Sequence, residues 1–141
     1  MIEVRLLRAD DLAVLERVAD DVFDGPIRPD RAAEFLADER HHLAVAVVDG
    51  VVAGFASAVH YVHPDKDPEL WIAEVGVAPS HRREGLATRL LDALRSHARA
   101  LGCREVWVLT ERENDGAMSF YRSTQGVSGP DDVVLFSWKV S

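Results

Sequence analysis

The segment from Val77 to Ala87 combines two arginines with residues that have almost no side chain. Arg82 and Arg83 are followed by Gly85 and Ala87. The segment lies between a predicted strand and a predicted long helix, so it should form a helix N-terminus. The first N–H groups of a helix are unpaired and carry a partial positive charge. Because glycine and alanine allow close approach to these groups, the segment is suited to binding a diphosphate.

Glu74 is the lone carboxylate in the apolar strand that leads into this segment. It could act as a base toward an amine, because an alkylammonium is on the order of one part in a thousand neutral at pH 7. Only the neutral amine attacks an acyl group, so its proton must be removed directly or through water. Burial is expected to raise the pKa of Glu74, while a bound cation would oppose this shift. The alternative is a buried glutamate that pairs with an arginine for structure.

Strands and helices are predicted along the whole chain to position these residues. The predicted strands are Ile2–Leu7, Leu43–Val48, Val51–Tyr61, Leu70–Val77, Glu105–Thr110 and Val133–Val140. Asp49-Gly50 predicts a two-residue hairpin turn. Gly76, inside its strand, predicts a bulge or a close backbone approach.

Four helices are predicted between these strands. The first follows Asp10 or Asp11 and carries an apolar face made of Leu12, Leu15, Ala19 and Val22. The others are Pro29–Asp38, a long helix from about Leu86 that Gly102 terminates, and Asn114–Ser123. No domain boundary is visible, so the prediction is a single α+β domain over residues 1–141, with a mixed sheet and helices on its faces.

The arginine-glycine segment resembles the acetyl-CoA motif of the GNAT superfamily of N-acetyltransferases. In that family a strand ends in Val-x-Pro and is followed by Arg/Gln-x-x-Gly-x-Gly/Ala, and Arg82, Gly85 and Ala87 fill the fixed positions here. The stretch from Asn114 to Tyr121 resembles the family's second cofactor motif, Asn-x-x-Ala-x-x-aromatic-or-aliphatic-Tyr. The resemblance extends from the first strand to the last.

The resemblance implies the GNAT fold, in which a central mixed, mostly antiparallel, twisted sheet of six to seven strands is flanked by about four helices. It implies acetyl-CoA as the donor, and it implies that the strand containing Glu74 splays away from the next strand. Three segments are implied to bind the cofactor, through Val75, Gly76, Val77, Arg82, Arg83, Glu84, Gly85, Leu86, Ala87, Thr88, Asn114, Ala117 and Tyr121.

Two catalytic roles follow from the resemblance. Glu74 is implied to be the general base. Tyr121 is implied to stabilise the departing CoA thiolate first and to donate a proton second, because a phenol (pKa about 10) is a weaker acid than a thiol (about 8.5). The family usually has a glycine four residues after this tyrosine, whereas Gly126 comes five after it. The local turn is therefore expected to differ, and the penultimate strand is expected to be short or missing.

Several shorter stretches are similar to the type I aminoglycoside 3-N-acetyltransferases. They are Phe23-Asp24-Gly25-Pro26, His41-His42-Leu43, the run from Ala58 to Lys66, Arg99 to Gly102, and Phe136-Ser137-Trp138. This similarity implies an aminoglycoside acceptor modified at its 3-N position. A polycationic acceptor needs carboxylates, and the residues predicted to bind it are Asp24, His60, Glu74, Glu111 and Asp132.

Other functions stay open at this point. A polyamine, a small amine metabolite or a peptide amine is an alternative acceptor. A non-catalytic CoA-binding regulatory module is another alternative, and it would need neither Glu74 nor Tyr121. His60 and His63 have no clear third ligand beside them, so no metal site is predicted.

Composition limits the partners and the location. The chain has 141 residues, a hydrophobic share of 48% and a formal net charge of −8. The negative charge argues against nucleic acid, since phosphate binding needs a basic face. No apolar run approaches the roughly 18 residues that span a bilayer, and a single cysteine, Cys103, rules out an internal disulfide. We therefore expect a cytoplasmic protein without a membrane partner. Many members of the resembling family pair through terminal strands, which implies a homodimer.

Overall fold

Five strands form one mixed sheet in the computed structural model, which describes residues 1–129 and 133–140. They are β1 (Ile2–Leu6), β2 (His41–Val48), β3 (Val51–Tyr61), β4 (Glu69–Val77) and β5 (Glu105–Val108). Their spatial order is their chain order. The first four strands pair antiparallel, and β4 and β5 pair parallel. The predicted α+β class and mixed, mostly antiparallel sheet are confirmed, but the count of six to seven strands is too high.

The sixth predicted strand is wrong. Residues 133–140 have no strand assignment, and their large apolar side chains are exposed, including Leu135, Phe136 and Trp138. β-branched and aromatic residues favour a strand only where a neighbouring strand supplies hydrogen bonds and packing. The prediction was based on composition alone, and composition does not show whether a neighbouring strand is present.

Three α-helices and two 3-10 segments accompany the sheet in the described residues. The α-helices are α1 (Pro29–Ala37), α2 (Leu86–Ala100) and α3 (Asp115–Ser123), and the 3-10 segments are Ala9–Glu16 and Pro79–His81. The three α-helices lie where the sequence predicts them. None of the helices described here is both long and apolar enough to cross a membrane.

The first predicted helix is a 3-10 segment that stops at Glu16. Its apolar face is nevertheless correct, because Leu15 and Val22 are buried and Leu12 and Ala19 pack against the same core. The helix stops because the next residues pair with β3. Val52 donates its N–H to the carbonyl of Arg17 at 2.8 Å and accepts from the N–H of Ala19 at 2.9 Å. These bonds require extended backbone, which ends the helix.

The chain separates into two compact units, residues 1–109 and 110–141. The first unit contains the whole sheet, α1 and α2, and the second contains α3. The predicted single domain stays a prediction. In the first unit the sheet lies between two layers, because successive side chains of β2 point to opposite faces. Leu43 packs with Leu36 of α1 in one layer, whereas His42 contacts His97 of α2 in the other.

The tight turn between β2 and β3 is confirmed. Asp49 and Gly50 adopt φ values of 51° and 82°. A two-residue hairpin turn with positive φ at both positions matches the right-handed twist of its strands. The turn fixes the register in which β3 pairs with β2.

Three histidines meet beneath α2. His42 Nε2 lies 2.7 Å from His60 Nδ1, and His42 Nδ1 lies 3.0 Å from His97 Nε2. These three side chains tie together β2, β3 and α2. Burial above all, together with the nearby His97, His60 and His41, lowers the pKa of His42 to about 4, while Asp38 opposes the shift.

The low pKa of His42 predicts that acid destabilises the fold. Between the ordinary value of 6.5 and the folded value of about 4, the unfolded chain binds a proton that the folded chain does not. The free energy of unfolding should therefore fall by up to about 3 kcal/mol from this group as the pH drops through that range. Urea unfolding at pH 7 and pH 4.5 measures the loss, which should be much smaller in His42→Gln and only slightly smaller in His41→Gln, because His41 is a lesser cause of the low pKa. Equal losses in the wild type and His42→Gln would contradict this assignment.

Candidate active site

β4 connects the two halves of the candidate site. Glu74 lies opposite Ser57 of β3, but Ile72 lies opposite Ala58, so Ala73 is an extra residue in β4. Such a bulge bends a strand and changes the direction of its side chains. The sequence predicted a bulge or a close approach at Gly76. The structure has the bulge at Ala73 and the close approach at Gly76.

Gly76 lies against the loop before α1. A Cβ at this position would meet the carbonyl oxygen of Val22 and would lie 2.8 Å from Phe55 Cε1. Since the carbonyl belongs to the backbone, it cannot move aside as a flexible side chain would. Glycine is therefore required where β4 passes the loop.

A cavity of about 340 Å³ opens on the face of the sheet that packs against α1. Its lining comes from the first 3-10 segment, the loop before α1, α1 itself and three strands: Leu15, Phe23, Asp24, Gly25, Pro26, Ile27, Arg28, Arg31, Ala32, Phe35, Leu36, Leu43, Phe55, Ser57 and Glu74. Its volume suits a small-molecule ligand, and most of the lining is apolar with a few polar groups.

Two carboxylates line this cavity from different elements. Asp24 comes from the loop before α1 and Glu74 from β4, so the structure brings these two predicted residues together. The predicted burial of Glu74 is wrong, because its side chain is exposed. Arg28 and Arg31 also line the cavity. Each pairs with an acid of α1, Arg28 with Asp30 at 3.5 Å and Arg31 with Glu34 at 2.9 Å.

Sequence reasoning missed part of the cavity wall. Phe23 and Phe55 stack with ring centroids 4.0 Å apart, and Ser57 is a buried hydroxyl in an otherwise apolar stretch of β3. The lone serine was a visible signal, since buried polar groups need partners. The pairing of Phe23 with Phe55 left no signal, because the two residues are far apart in sequence.

The pairing of β5 with β4 stops before the strand reaches the helix. The last paired residues are Ile72 and Val108, whereas β4 continues to Val77. From Ala73 onward, the side of β4 that faced β5 has no pairing with that strand. This agrees with the splayed strands that the sequence resemblance implies. An unpaired strand edge presents backbone groups to a ligand.

The segment after β4 ends in a helix start that has no side-chain cap. Gly85 is the N-cap of α2, with φ 76°, and it has no side chain to accept hydrogen bonds from the first turn. Nothing lies within 4 Å of a Cβ built on Gly85. Arg82 and Arg83 are exposed beside it, and Arg83 has φ 67°. The side chain of Leu86 is buried, so only its backbone can serve a ligand.

These features fit the diphosphate of acetyl-CoA. Unpaired helix N–H groups with adjacent arginines bind anions, and an open glycine lets the backbone approach them. The remaining predicted cofactor residues of this unit, Val75, Val77, Glu84, Ala87 and Thr88, lie along the same path from β4 into α2.

His60 is placed away from the cavity lining. It contacts His42 in the histidine group beneath α2. Within the described residues, no three histidine, cysteine or acidic side chains are arranged to hold a metal ion.

The second unit carries the second motif. Asn114 caps α3 as predicted, and its side chain accepts the N–H of Ala117 at 3.0 Å. Burial raises the pKa of Tyr121. The unusual spacing after this tyrosine has a local explanation. Gln125 adopts the left-handed conformation with φ 69°, and Gly126 donates its N–H to the carbonyl of Tyr121 at 3.0 Å.

Glu111 and Asp132 are the other two residues that the sequence predicts to bind the substrate. Glu111 is exposed in the second unit, ahead of α3. Asp132 lies outside the described residues.

The family model that matches this chain and the relatives named below all describe acetyltransferases. The Acetyltransferase (GNAT) family model matches residues 10–127. An aminoglycoside N(6')-acetyltransferase type 1 of Salmonella typhimurium is 37% identical over an alignment of 100 residues that covers 63% of this chain and 68% of that protein.

Solved structures that share the fold include two aminoglycoside acetyltransferases. An aminoglycoside acetyltransferase from an uncultured soil metagenomic sample, in complex with sisomicin, has a TM-score of 0.82 and 21% identity. The alignment covers 99% of this chain and 97% of that one. The aminoglycoside N-acetyltransferase AAC(6')-Iy in complex with CoA has a TM-score of 0.79 and 24% identity, with 100% and 96% covered.

Gly76→Ala should destabilise the protein by about 1–3 kcal/mol, because the added methyl collides with backbone that cannot move. Urea unfolding compares it with Gly129→Ala, where a Cβ meets nothing within 4 Å. If both substitutions have the same small effect, the close approach at Gly76 is not a constraint.

Proposed function

Because this chain belongs to the GNAT family of acetyltransferases, we propose that it transfers the acetyl group of acetyl-CoA to an amine of an aminoglycoside. The observation that carries the proposal is the position of β4. Its middle contributes Glu74 to an acceptor-sized cavity, and its end leads into the uncapped start of α2. A single strand of nine residues would therefore position both the amine and the donor.

Asp24 and Glu74 would hold the ammonium group of the acceptor. A carboxylate binds an ammonium through charge-assisted hydrogen bonds, and the chain's net charge of −8 attracts cations. Glu74 then accepts a proton from the ammonium, directly or through a water molecule. Its exposure makes a water relay feasible, and its role as base depends on its position rather than on burial.

The donor would be held by backbone and arginines. Acetyl-CoA, when bound, supplies a thioester whose carbonyl carbon the neutral amine attacks. The N–H groups that follow Gly85 would bind its diphosphate together with Arg82, and backbone of β4 at Val75 and Val77 would polarise the thioester carbonyl.

Tyr121 is proposed to stabilise the CoA thiolate. Burial raises the pKa of its phenol, which makes full proton donation to sulfur less favourable and a hydrogen bond to it the main contribution. Asn114, Ala117 and Glu111 keep their predicted roles as part of this proposal.

The acetylated amine of the acceptor could be the 6' amine or the 3-N amine. The relative from Salmonella typhimurium is named an N(6')-acetyltransferase, so the 3-N position predicted from the sequence is not supported by that name. We propose the 6' amine first and the 3-N amine second, and NMR of the purified product distinguishes them. The homodimer and the cytoplasmic location stay predictions.

Activity is tested by release of CoA thiol from acetyl-CoA with aminoglycosides, polyamines and peptides as acceptors. We expect turnover of at least one aminoglycoside, with kcat/KM above that of any polyamine or peptide. Turnover restricted to polyamines or peptides would overturn the aminoglycoside assignment and leave the family assignment intact.

Glu74→Gln should lower kcat by about a hundredfold or more, because the amide cannot accept the proton. The residual rate should keep rising as the pH approaches the pKa of the acceptor amine, since deprotonation by solvent replaces the missing base. Steady-state kinetics between pH 6 and pH 9.5 measure both effects. Glu39→Gln, an exposed change outside the cavity lining, is the matched control. An unchanged kcat in Glu74→Gln would exclude the proposed base.

Arg82→Ala should weaken acetyl-CoA binding by about tenfold, because one charge-assisted contact to phosphate is lost. The difference from the wild type should shrink at high salt. Isothermal titration calorimetry gives the dissociation constants. Arg95→Ala, an exposed arginine in the middle of α2, should leave the constant unaltered. Equal affinities for the wild type and Arg82→Ala would contradict this role.

A further inference from the structure

Tyr61, Trp71 and Trp107 form a continuous group of rings on three adjacent strands, which we call the aromatic wall. The indoles of Trp71 and Trp107 stack with centroids 5.8 Å apart and an interplanar angle of 23°. The ring of Tyr61 meets Trp107 edge-on at 6.4 Å. All three side chains are partly exposed rather than enclosed in the core.

The aromatic wall shares a sheet face with the cavity. Side chains alternate along β3, so Ser57, which lines the cavity, and Tyr61 point to the same side. Val59 lies between them on that face and is paired with Trp71. Glu74 and Trp71 are paired with Ser57 and Val59, which are two residues apart on β3, a distance of about 7 Å at about 3.3 Å per residue. The aromatic wall therefore lies about one sugar ring away from Glu74, the carboxylate that would receive the reacting amine.

Two carboxylates accompany the aromatic wall. Glu69 and Glu105 are directly paired across β4 and β5. Glu69 accepts the hydroxyl of Tyr61 at 3.2 Å, and its other oxygen lies 3.1 Å from His63 Nε2. Glu105 is exposed.

The orientation of the wall is fixed by hydrogen bonds. The Nε1–H of Trp107 donates to the hydroxyl of Tyr61 at 2.7 Å, and that hydroxyl donates in turn to Glu69. Burial and the negative charges of Glu69 and Glu105 raise the pKa of Tyr61, so the phenol keeps its proton and the chain of bonds stays intact. Rings held in this way are prepared for a ligand before it arrives.

We propose that the aromatic wall, with Glu69 and Glu105, is a second acceptor subsite that binds a further cationic ring of an amino sugar whose reacting amine lies at Glu74. This inference rests on the proposed function. Indole faces attract a cation through their π electrons, and carboxylates bind ammonium groups. A ligand that satisfies both features carries amines on a ring that can lie against an aromatic surface. The distance to Glu74 selects acceptors with at least two linked rings.

The test measures binding of neamine, a two-ring aminoglycoside, and of glucosamine, a one-ring amine, in the presence of CoA. In the wild type, neamine should bind more tightly than glucosamine. Trp71→Ala should raise the Kd and the KM for neamine about tenfold while kcat changes by less than about twofold. Its effect on glucosamine should be small, because that amine does not reach the aromatic wall.

Controls separate the subsite from general damage. Trp107→Phe keeps an aromatic ring but removes the N–H that orients Tyr61, and it should give a smaller loss than Trp71→Ala. If Trp71→Ala does not fold, Glu69→Gln replaces it and should weaken neamine binding in a manner that diminishes with salt.

Each outcome decides the proposal. A neamine Kd that is the same in the wild type, Trp71→Ala and Glu69→Gln overturns the subsite, as does a wild type that binds no neamine. Equal losses for neamine and glucosamine also overturn it, because they would indicate a general defect. If the wild type binds neamine through the aromatic wall but acetylates no aminoglycoside, the subsite stands and the proposed function fails.

Discussion

The start of α2 is the constraint on which the site depends. The first N–H groups of any helix lack intrahelical partners, and here the N-cap is Gly85 in a left-handed conformation, which offers no side chain to them. In α3 the same need is met within the chain, since Asn114 accepts the N–H of Ala117. The exposed arginines before Gly85 add positive charge to the same place. An anionic ligand would complete this helix start and would be oriented by it.

The rest of the first unit holds that helix start in a fixed relation to β4. Leu86, Leu90 and Leu94 are fully or almost fully buried, so α2 cannot turn on the sheet without exposing its core face. β4 pairs with β3 up to Val77 but loses its pairing with β5 after Ile72. The same strand is thus rigid on one side and open on the other. The unpaired edge of β4 offers backbone groups to the donor. On the paired edge, β3 contributes Ser57 to the floor of the cavity.

Much of this arrangement was predictable from local sequence. The periodicity of α2, the glycine after the arginines, the Asp49-Gly50 turn and the Asn114 cap each depend on a few neighbouring residues, and each was predicted correctly. Features that depend on distant partners were not. The early end of the first helix is due to hydrogen bonds with Val52. Likewise, the exposure of Glu74 and the pairing of His60 with His42 depend on which segments pack together.

The central claim is that the backbone at the start of α2 binds the CoA diphosphate. NMR of the ¹⁵N-labelled protein titrated with CoA tests this claim directly, because it reports on individual amide groups. We predict that the largest shift changes occur at the amides of residues 85–88, with little change in the middle of α2. Saturable CoA binding that leaves these four amides unperturbed, or no binding at all, would contradict the account.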